Sequence, residues 1–134
     1  MKHSQKKITV IIPALNEEKA IKRVIRGVPI KELKKLGYST EIMVIDNGSE
    51  DRTSHIAREN GARVIIQPIK GYGNAYKAGF WNAMGNIIAT GDADLTYPFE
   101  RLVEFVKIIE KEKIDFLNTD RLTWVTSKSM HWTH

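Results

Sequence analysis

Two carboxylates, Asp92 and Asp94, follow the apolar run Ile88-Ala89-Thr90 and a glycine. Residues two apart on a strand project to the same side. Two carboxylates sharing a side repel unless a cation or a donor lies between them. Mg²⁺ and Mn²⁺ choose oxygen ligands of this kind and then hold phosphates. A solvated turn after a strand has the same Asp-x-Asp spelling, so the weight of this pair comes from where it lies. It comes downstream of two other polar clusters that also end apolar runs, Asn16-Glu17 and Asp46-Asn47-Gly48-Ser49.

The elements that must position these groups are legible as apolar runs and stripes. Ile8–Ile12 is a β-branched run stopped by Pro13 and reads as a buried strand. Asn16 reads as a helix N-cap, with Glu17 and Glu18 in the first turn and an apolar stripe to Val28. A short amphipathic piece follows from Ile30 to Leu36. Glu41–Ile45 is a second strand, and Asp46-Asn47-Gly48-Ser49 is a turn in which Asp46 can form an Asx turn. A helix over about 51–60 leads to a third strand, Arg63–Ile66. Gly71-Tyr72-Gly73 opens a helix reaching Met84, with Gly85 just past its end. Asn86–Thr90 is a fourth strand, delivering Asp92 and Asp94. Pro98 suits a first helical turn, and Leu102, Val103, Phe105, Val106 and Ile109 mark the stripe of that helix. Ile114–Leu117 is a weaker fifth strand.

Regular β-α alternation predicts an α/β fold, a mostly parallel sheet between helical layers. Ligands of such sheets sit beyond the carboxyl ends of the strands, where the strand order reverses. The polar clusters place four acids, Glu17, Asp46, Asp92 and Asp94, on that rim. Turn formation alone does not require so many acids.

The 134 residues suit one domain with one core, 42% hydrophobic and 28% charged. The net charge is +5 and the pI about 9.5, which favours anionic partners or reflects a lysine-rich solvated surface. No motif supports binding to nucleic acid. The absence of cysteine removes disulfides and thiolate metal sites, and no apolar run is long enough to span a membrane. Residues 1–7 form a polar extension. From Arg121 the character changes: two tryptophans, two histidines, no acid and no clear period.

Four segments together resemble the family 2 glycosyltransferases of the GT-A fold, in the dolichyl-phosphate mannose synthase and polyprenyl-phosphate sugar synthase branch. They are Val10–Glu18, Val44–Thr53, Lys70–Ala75 and Gly91–Pro98, in the family's order and spacing, and with what lies between them they cover nearly all of residues 8–121. The resemblance implies a GT-A-type three-layer αβα sandwich with a mostly parallel sheet over 8–121. Residues 122–134 would then open an incomplete acceptor-side region. It implies transfer of a sugar, with inversion, from a nucleotide-diphospho-sugar of the GDP-mannose or UDP-glucose type. The acceptor would be a polyprenyl or dolichyl phosphate at the cytoplasmic face of a membrane, with peripheral contact to that membrane.

By the same resemblance, Pro13, Leu15 and Glu17 line the nucleotide pocket, and Val44 and Asp46 contact base and ribose. Asp92 and Ala93 border ribose and diphosphate. Asp94, with Asp92 beside it, holds Mg²⁺ or Mn²⁺. Thr96 stands where this branch often places a glutamine metal ligand, and is shorter. Arg121 matches an arginine that faces the sugar diphosphate or acceptor. Asp92, Asp94 and Arg121 are the implied catalytic set.

Each group also has a plainer use. Asn16 can simply cap a helix, the glycines at 71 and 73 can simply shape a loop, and Lys70 can be solvated. The basic set Lys19, Lys22, Arg23, Arg26, Lys31, Lys34 and Lys35 is a solvated face or an attractor for an anionic membrane. A sugar nucleotidyltransferase would carry a glycine- and lysine-rich loop after the first strand, where this chain has Pro13-Ala14-Leu15-Asn16-Glu17. A domain that binds a nucleotide or a partner without transfer is the remaining alternative.

Overall fold

The computed structural model describes residues 5–95, 99–119 and 130–131. Packing divides the chain into two units, Met1–Glu100 and Arg101–His134, whereas the change in sequence character falls at Arg121. In the first unit the order is β1 (Lys6–Ala14), α1 (Ile21–Arg26), α2 (Ile30–Lys35), β2 (Tyr38–Asp46), α3 (Thr53–Glu59), β3 (Arg63–Ile66), α4 (Tyr72–Asn82) and β4 (Ile87–Thr90). A 3₁₀ turn, Phe99–Arg101, leads into the second unit.

The first unit holds a four-stranded sheet in the order β3-β2-β1-β4, with every pairing parallel. β1 and β2 are the centre. Ile8, Val10, Ile11, Ile12, Met43, Val44 and Ile45 have no exposed surface, as expected of strands covered on both faces. Each large aliphatic side chain buried this way contributes about 1.5–3 kcal/mol. β2 outruns its outer neighbour, since β3 pairs only with Met43–Asp46. Right-handed crossovers put α1, α2 and α3 on one face, because β1→β2→β3 moves in one direction. The step from β3 back to β4 reverses direction, so α4 covers the other face.

α4 approaches closely because its inner face is small. Ala75 packs on Ile11, Met43 and Ile45. A Cβ added at Gly79 would lie 2.6 Å from Ile11 Cγ2. The hydroxyl of Thr9 accepts a hydrogen bond from Gly85 N at 3.0 Å, fixing the chain just before β4.

Several sequence expectations need correction. Pro13 does not stop β1, which runs to Ala14 with Pro13 opposite Ile45. Pairing with β4 ends at Ile11, so the missing N–H falls where β1 has a partner on one side only. Asn16 is not an N-cap. It sits at φ 53°, and α1 begins only at Ile21. Its side chain is used between loops instead. α4 ends at Asn82 with Ala83 extended, so Gly85 is not a helix terminator. Gly85 is a glycine because a Cβ there would lie 2.6 Å from Thr9 N and 2.7 Å from Ile87 O.

The second unit contains α5 (Leu102–Glu112), which buries Leu102 and Val106 and ends at Lys113 in the left-handed region. The Arg101 guanidinium pairs with Glu104 at 3.1 Å. The expected fifth strand at Ile114–Leu117 is not formed. A two-residue strand, β5 (Asn118–Thr119), pairs antiparallel with β6 (Met130–His131). Asp115 and the exposed Phe116 break the buried pattern that a further parallel strand needs.

These contacts predict opposite outcomes for two glycines. Gly85→Ala should lose about 1–3 kcal/mol by overpacking against backbone that cannot move without opening the β1–β4 ladder. Gly73→Ala, with nothing within 4 Å, should gain up to about 1 kcal/mol of helix propensity. Urea denaturation of both variants checks the pair.

Candidate functional site

The strand order reverses at β1, and a cleft of about 300 Å³ opens there beyond the carboxyl ends of the strands. Pro13, Ala14, Leu15 and Glu17 line it from β1, and Asn47 from β2. Lys70, Gly71, Tyr72 and Ala75 come from the start of α4, and Asp92, Ala93 and Asp94 follow β4.

Backbone hydrogen bonds carry the ladders past the strands and set the height of each loop. Ile11 O accepts from Gly91 N at 3.2 Å, and Ala14 O accepts from Asn47 N at 3.0 Å. Gly91 is pinned further, since a Cβ there would strike the Phe99 ring. Asp92 and Asp94 therefore enter the cleft at the level of Pro13 to Glu17.

The loops after β1 and β2 are laced by side chain to backbone bonds. Asn16 N donates to Ser49 Oγ at 2.9 Å, and Glu50 N donates to Asn16 Oδ1 at 2.9 Å. Glu17 N donates to Thr53 Oγ1 at 2.9 Å, Glu18 N to Asp51 at 3.2 Å, and Arg52 N to Glu18 at 3.2 Å. Asp51 also accepts from Thr53 N at 2.9 Å. Lacing, not capping, is thus the role of Asn16, and it holds Glu17 at the rim.

Asp46 and Val44 lie elsewhere. Val44 is fully buried inside the sheet, and Asp46 is 4% exposed beneath its own turn. Asp46 accepts from Ser49 N at 2.7 Å, from Gly48 N at 3.2 Å, and from the Ser54 hydroxyl. Neither residue lines the cleft. Burial pushes the Asp46 carboxyl up, but the bonds from Ser54, Ser49 and Gly48 outweigh it and hold it below the usual range. For Glu17 burial acts first, then the charges of Asp94 and Asp51, and all three push its carboxyl up. Thr96 and Arg121 lie outside the described residues.

In the sequence Asn47 reads only as a turn former. It is 6% exposed. Its Nδ2 donates to Gln67 O and to Ile69 O, both at 2.9 Å. Its Oδ1 accepts from Gly71 N at 2.9 Å. One amide therefore fixes the segment that places Lys70, Gly71 and Tyr72 on the cleft. Gly71 itself sits at φ 128°, a region that favours glycine. The available signal was an asparagine at the end of a buried strand in a chain whose later loop must fold back over it.

The donor set suits a hard divalent cation. Asp92, Asp94 and Glu17 present carboxylate oxygens, and the upward push of Asp94 on Glu17 is the repulsion that a cation relieves. Among the described residues no group of three or more His, Cys, Asp or Glu is placed to hold a metal ion by itself. Mg²⁺-type sites commonly use one or two carboxylates and take the rest from substrate phosphates. Lys70, also on the cleft, adds a positive charge for such a phosphate.

A parallel α/β sheet with a cleft at its reversal point is a Rossmann-like arrangement, and likeness to solved glycosyltransferases makes it the GT-A form. Residues 9–126 match the model of glycosyl transferase family 2, and the chain belongs to that family. It is 41% identical over 115 residues to the low-salt glycan biosynthesis hexosyltransferase Agl6 of Haloferax volcanii, covering 86% of this chain and 27% of that protein. It is 36% identical over 116 residues to a dolichyl-phosphate hexose transferase of the same organism, covering 87% of this chain and 48% of that one. Among solved structures it is similar to glucosyl-3-phosphoglycerate synthase from Mycobacterium tuberculosis, in complex with Mn²⁺, uridine diphosphate and glucosyl-3-phosphoglycerate. That match has a TM-score of 0.64 at 32% identity, over 78% of this chain and 39% of that one. The chain thus spans less than half the length of each of these relatives.

Two outcomes follow. Asn47→Ala should cost about 1–3 kcal/mol through the unsatisfied groups it leaves, with faster amide exchange at Gly71. Because the Asp46 carboxyl is lowered on folding, its stabilisation is complete above the unfolded value near pH 4. It is lost as pH falls through the lower folded value. Asp46→Asn should therefore flatten the stability profile below about pH 4, measured by urea melts across pH.

Proposed function

We propose that the cleft binds the diphosphate end of a nucleotide sugar, and that the protein transfers the sugar to a polyprenyl phosphate at the cytoplasmic face of a membrane. The observation that carries this reading is the convergence of Glu17, Asp92, Asp94 and Lys70 on one cleft at the point of strand reversal. The solved relative with Mn²⁺ and uridine diphosphate supports the donor class, and the relative named as a dolichyl-phosphate hexose transferase supports the acceptor class.

In this reading Pro13, Ala14 and Leu15 form an apolar wall for the base, and Ala93 lets the backbone approach the ribose and diphosphate. Asp92 and Asp94 would hold Mg²⁺ or Mn²⁺, with Thr96 following them in sequence. Bound there, the cation supplies charge neutralisation for the departing nucleoside diphosphate. Lys70, on the same cleft, would offer its ammonium to a phosphate oxygen, and Arg121 is assigned to the sugar diphosphate or acceptor by family resemblance. Asp46 and Val44 act indirectly, by fixing the turn and strand beneath the site. A lipid phosphate is already anionic, so its oxygen attacks the anomeric carbon without a general base. The new carbon–oxygen bond forms as the bond to the diphosphate breaks, the nucleoside diphosphate leaves with the electron pair, and the anomeric centre inverts.

Calorimetric titration of UDP, GDP and ADP, with Mn²⁺ and with chelator, tests the site. Metal-dependent binding of one nucleotide is expected, weakened tenfold or more in Asp94→Ala, which corresponds to about 1.4 kcal/mol. A folded sample that binds none of the three, or binds without regard to metal, would overturn the proposal.

A further inference from the structure

The outer face of α4 is unusual for a helix on the surface of a water-soluble sheet. Tyr72, Tyr76 and Phe80 recur every fourth residue and stack in sequence, with ring centroids 6.1 and 6.0 Å apart, the half-buried Tyr76 also packing on the core of Ile11, Met43, Ile45 and Ala75. At 100° per residue Lys77 and Trp81 share the next row, 100° round the helix from Tyr76 and Phe80. Trp81 is 90% exposed, Met84 75%, Tyr72 66% and Phe80 51%. Ile69, just before the helix, is also exposed. Scattered apolar residues on a surface are ordinary, but a contiguous aromatic stripe marks an interaction site.

We propose that this face rests in the interfacial layer of an anionic lipid bilayer. The choice of a bilayer rests on the lipid-acceptor reading above and on three features of the helix. Its exposed side chains are Tyr72, Lys77, Phe80 and Trp81, and tyrosine and tryptophan combine an apolar ring with a polar edge and concentrate at headgroup level. The helix has no acidic residue, and Lys77, with Lys70 just before it, offers cations to anionic headgroups. Tyr72 belongs both to the stripe and to the cleft lining, so the stripe continues into the place where a lipid phosphate must arrive. No helix among the described residues is long and apolar enough to cross a membrane, and the contact proposed for α4 is with the bilayer surface.

The topology makes the proposal specific. The basic residues of α1 and α2 lie on the opposite face of the sheet from α4. The two faces cannot both lie flat on one bilayer, and the aromatic face is the one assigned here.

Flotation of the chain with phosphatidylcholine vesicles, with and without phosphatidylserine, is the test. Binding to the anionic vesicles is expected, falling tenfold or more in Phe80→Ser/Trp81→Ser. It should change less than threefold in Lys31→Gln/Lys34→Gln/Lys35→Gln. In a Trp124→Phe/Trp132→Phe background, bromolipids should quench Trp81 fluorescence. Unquenched Trp81, vesicle binding lost only in the lysine variant, or self-association abolished by Trp81→Glu would each overturn the proposal. Nucleotide titration of the serine variant separates the two readings. Retained Mn²⁺-dependent binding with lost flotation supports docking through α4. Nucleotide binding by a wild type that never floats defeats the docking face and leaves the donor site standing.

Discussion

Parallel strands cannot be joined by tight turns, and this constraint shapes everything else in the first unit. Each connection must cross a face of the sheet in a right-handed sense. Three strands laid down in one direction put α1, α2 and α3 on a single face. Returning to the other side of β1 forces α4 onto the opposite face. The loops on either side of β1 then leave in opposite directions, and the space between them is the cleft. No residue digs the cleft; the strand order leaves it open.

Electrostatics decides what that opening can hold. The rim is crowded with acids, but they are not equivalent. Asp46 and Asp51 spend their oxygens on backbone N–H groups of neighbouring turns, which favours the charged form, and Glu18 accepts from Arg52 N. Glu17, Asp92 and Asp94 line the cleft, and the charge of Asp94 pushes the Glu17 carboxyl up, a repulsion that a cation there would relieve. The laced acids are thus a frame that holds Glu17 within reach of the Asp94 charge.

Much of this could be read from the chain. Four parallel strands and their helices follow from β-branched runs and 3.6-residue stripes, and the family was visible in four short segments taken in order. Pro13, Leu15, Glu17, Asp92, Ala93 and Asp94 stand together on the cleft. What could not be read was long-range bonding. Asn16 looks like a cap in its own neighbourhood, and only the distant Ser49 and Glu50 make it a lace. Asn47 looks like a turn former until Gly71 arrives 24 residues later. Gly85 looks like a helix stop until Thr9 is seen beside it. The fifth strand failed because a short apolar run does not say which edge, if any, will accept it. In each case the local signal was real and a partner far along the chain decided its use.

The position of β4 carries a consequence for how the molecule comes together in time. β4 is an outer strand of four residues, and docking it beside β1 closes a loop of 79 residues, the separation spanned by the bond from Lys7 N to the Asn86 side-chain Oδ1 just before β4. Pairing at such separation pays its loop-closure entropy before it returns any contact energy, so it belongs late in folding. Asp92 and Asp94 follow directly on that strand. The central sheet and the two laced loops can therefore form while the cleft has only one wall. The chemistry arrives with the last strand to dock, and transient fraying of that edge erases the site while leaving most of the fold intact.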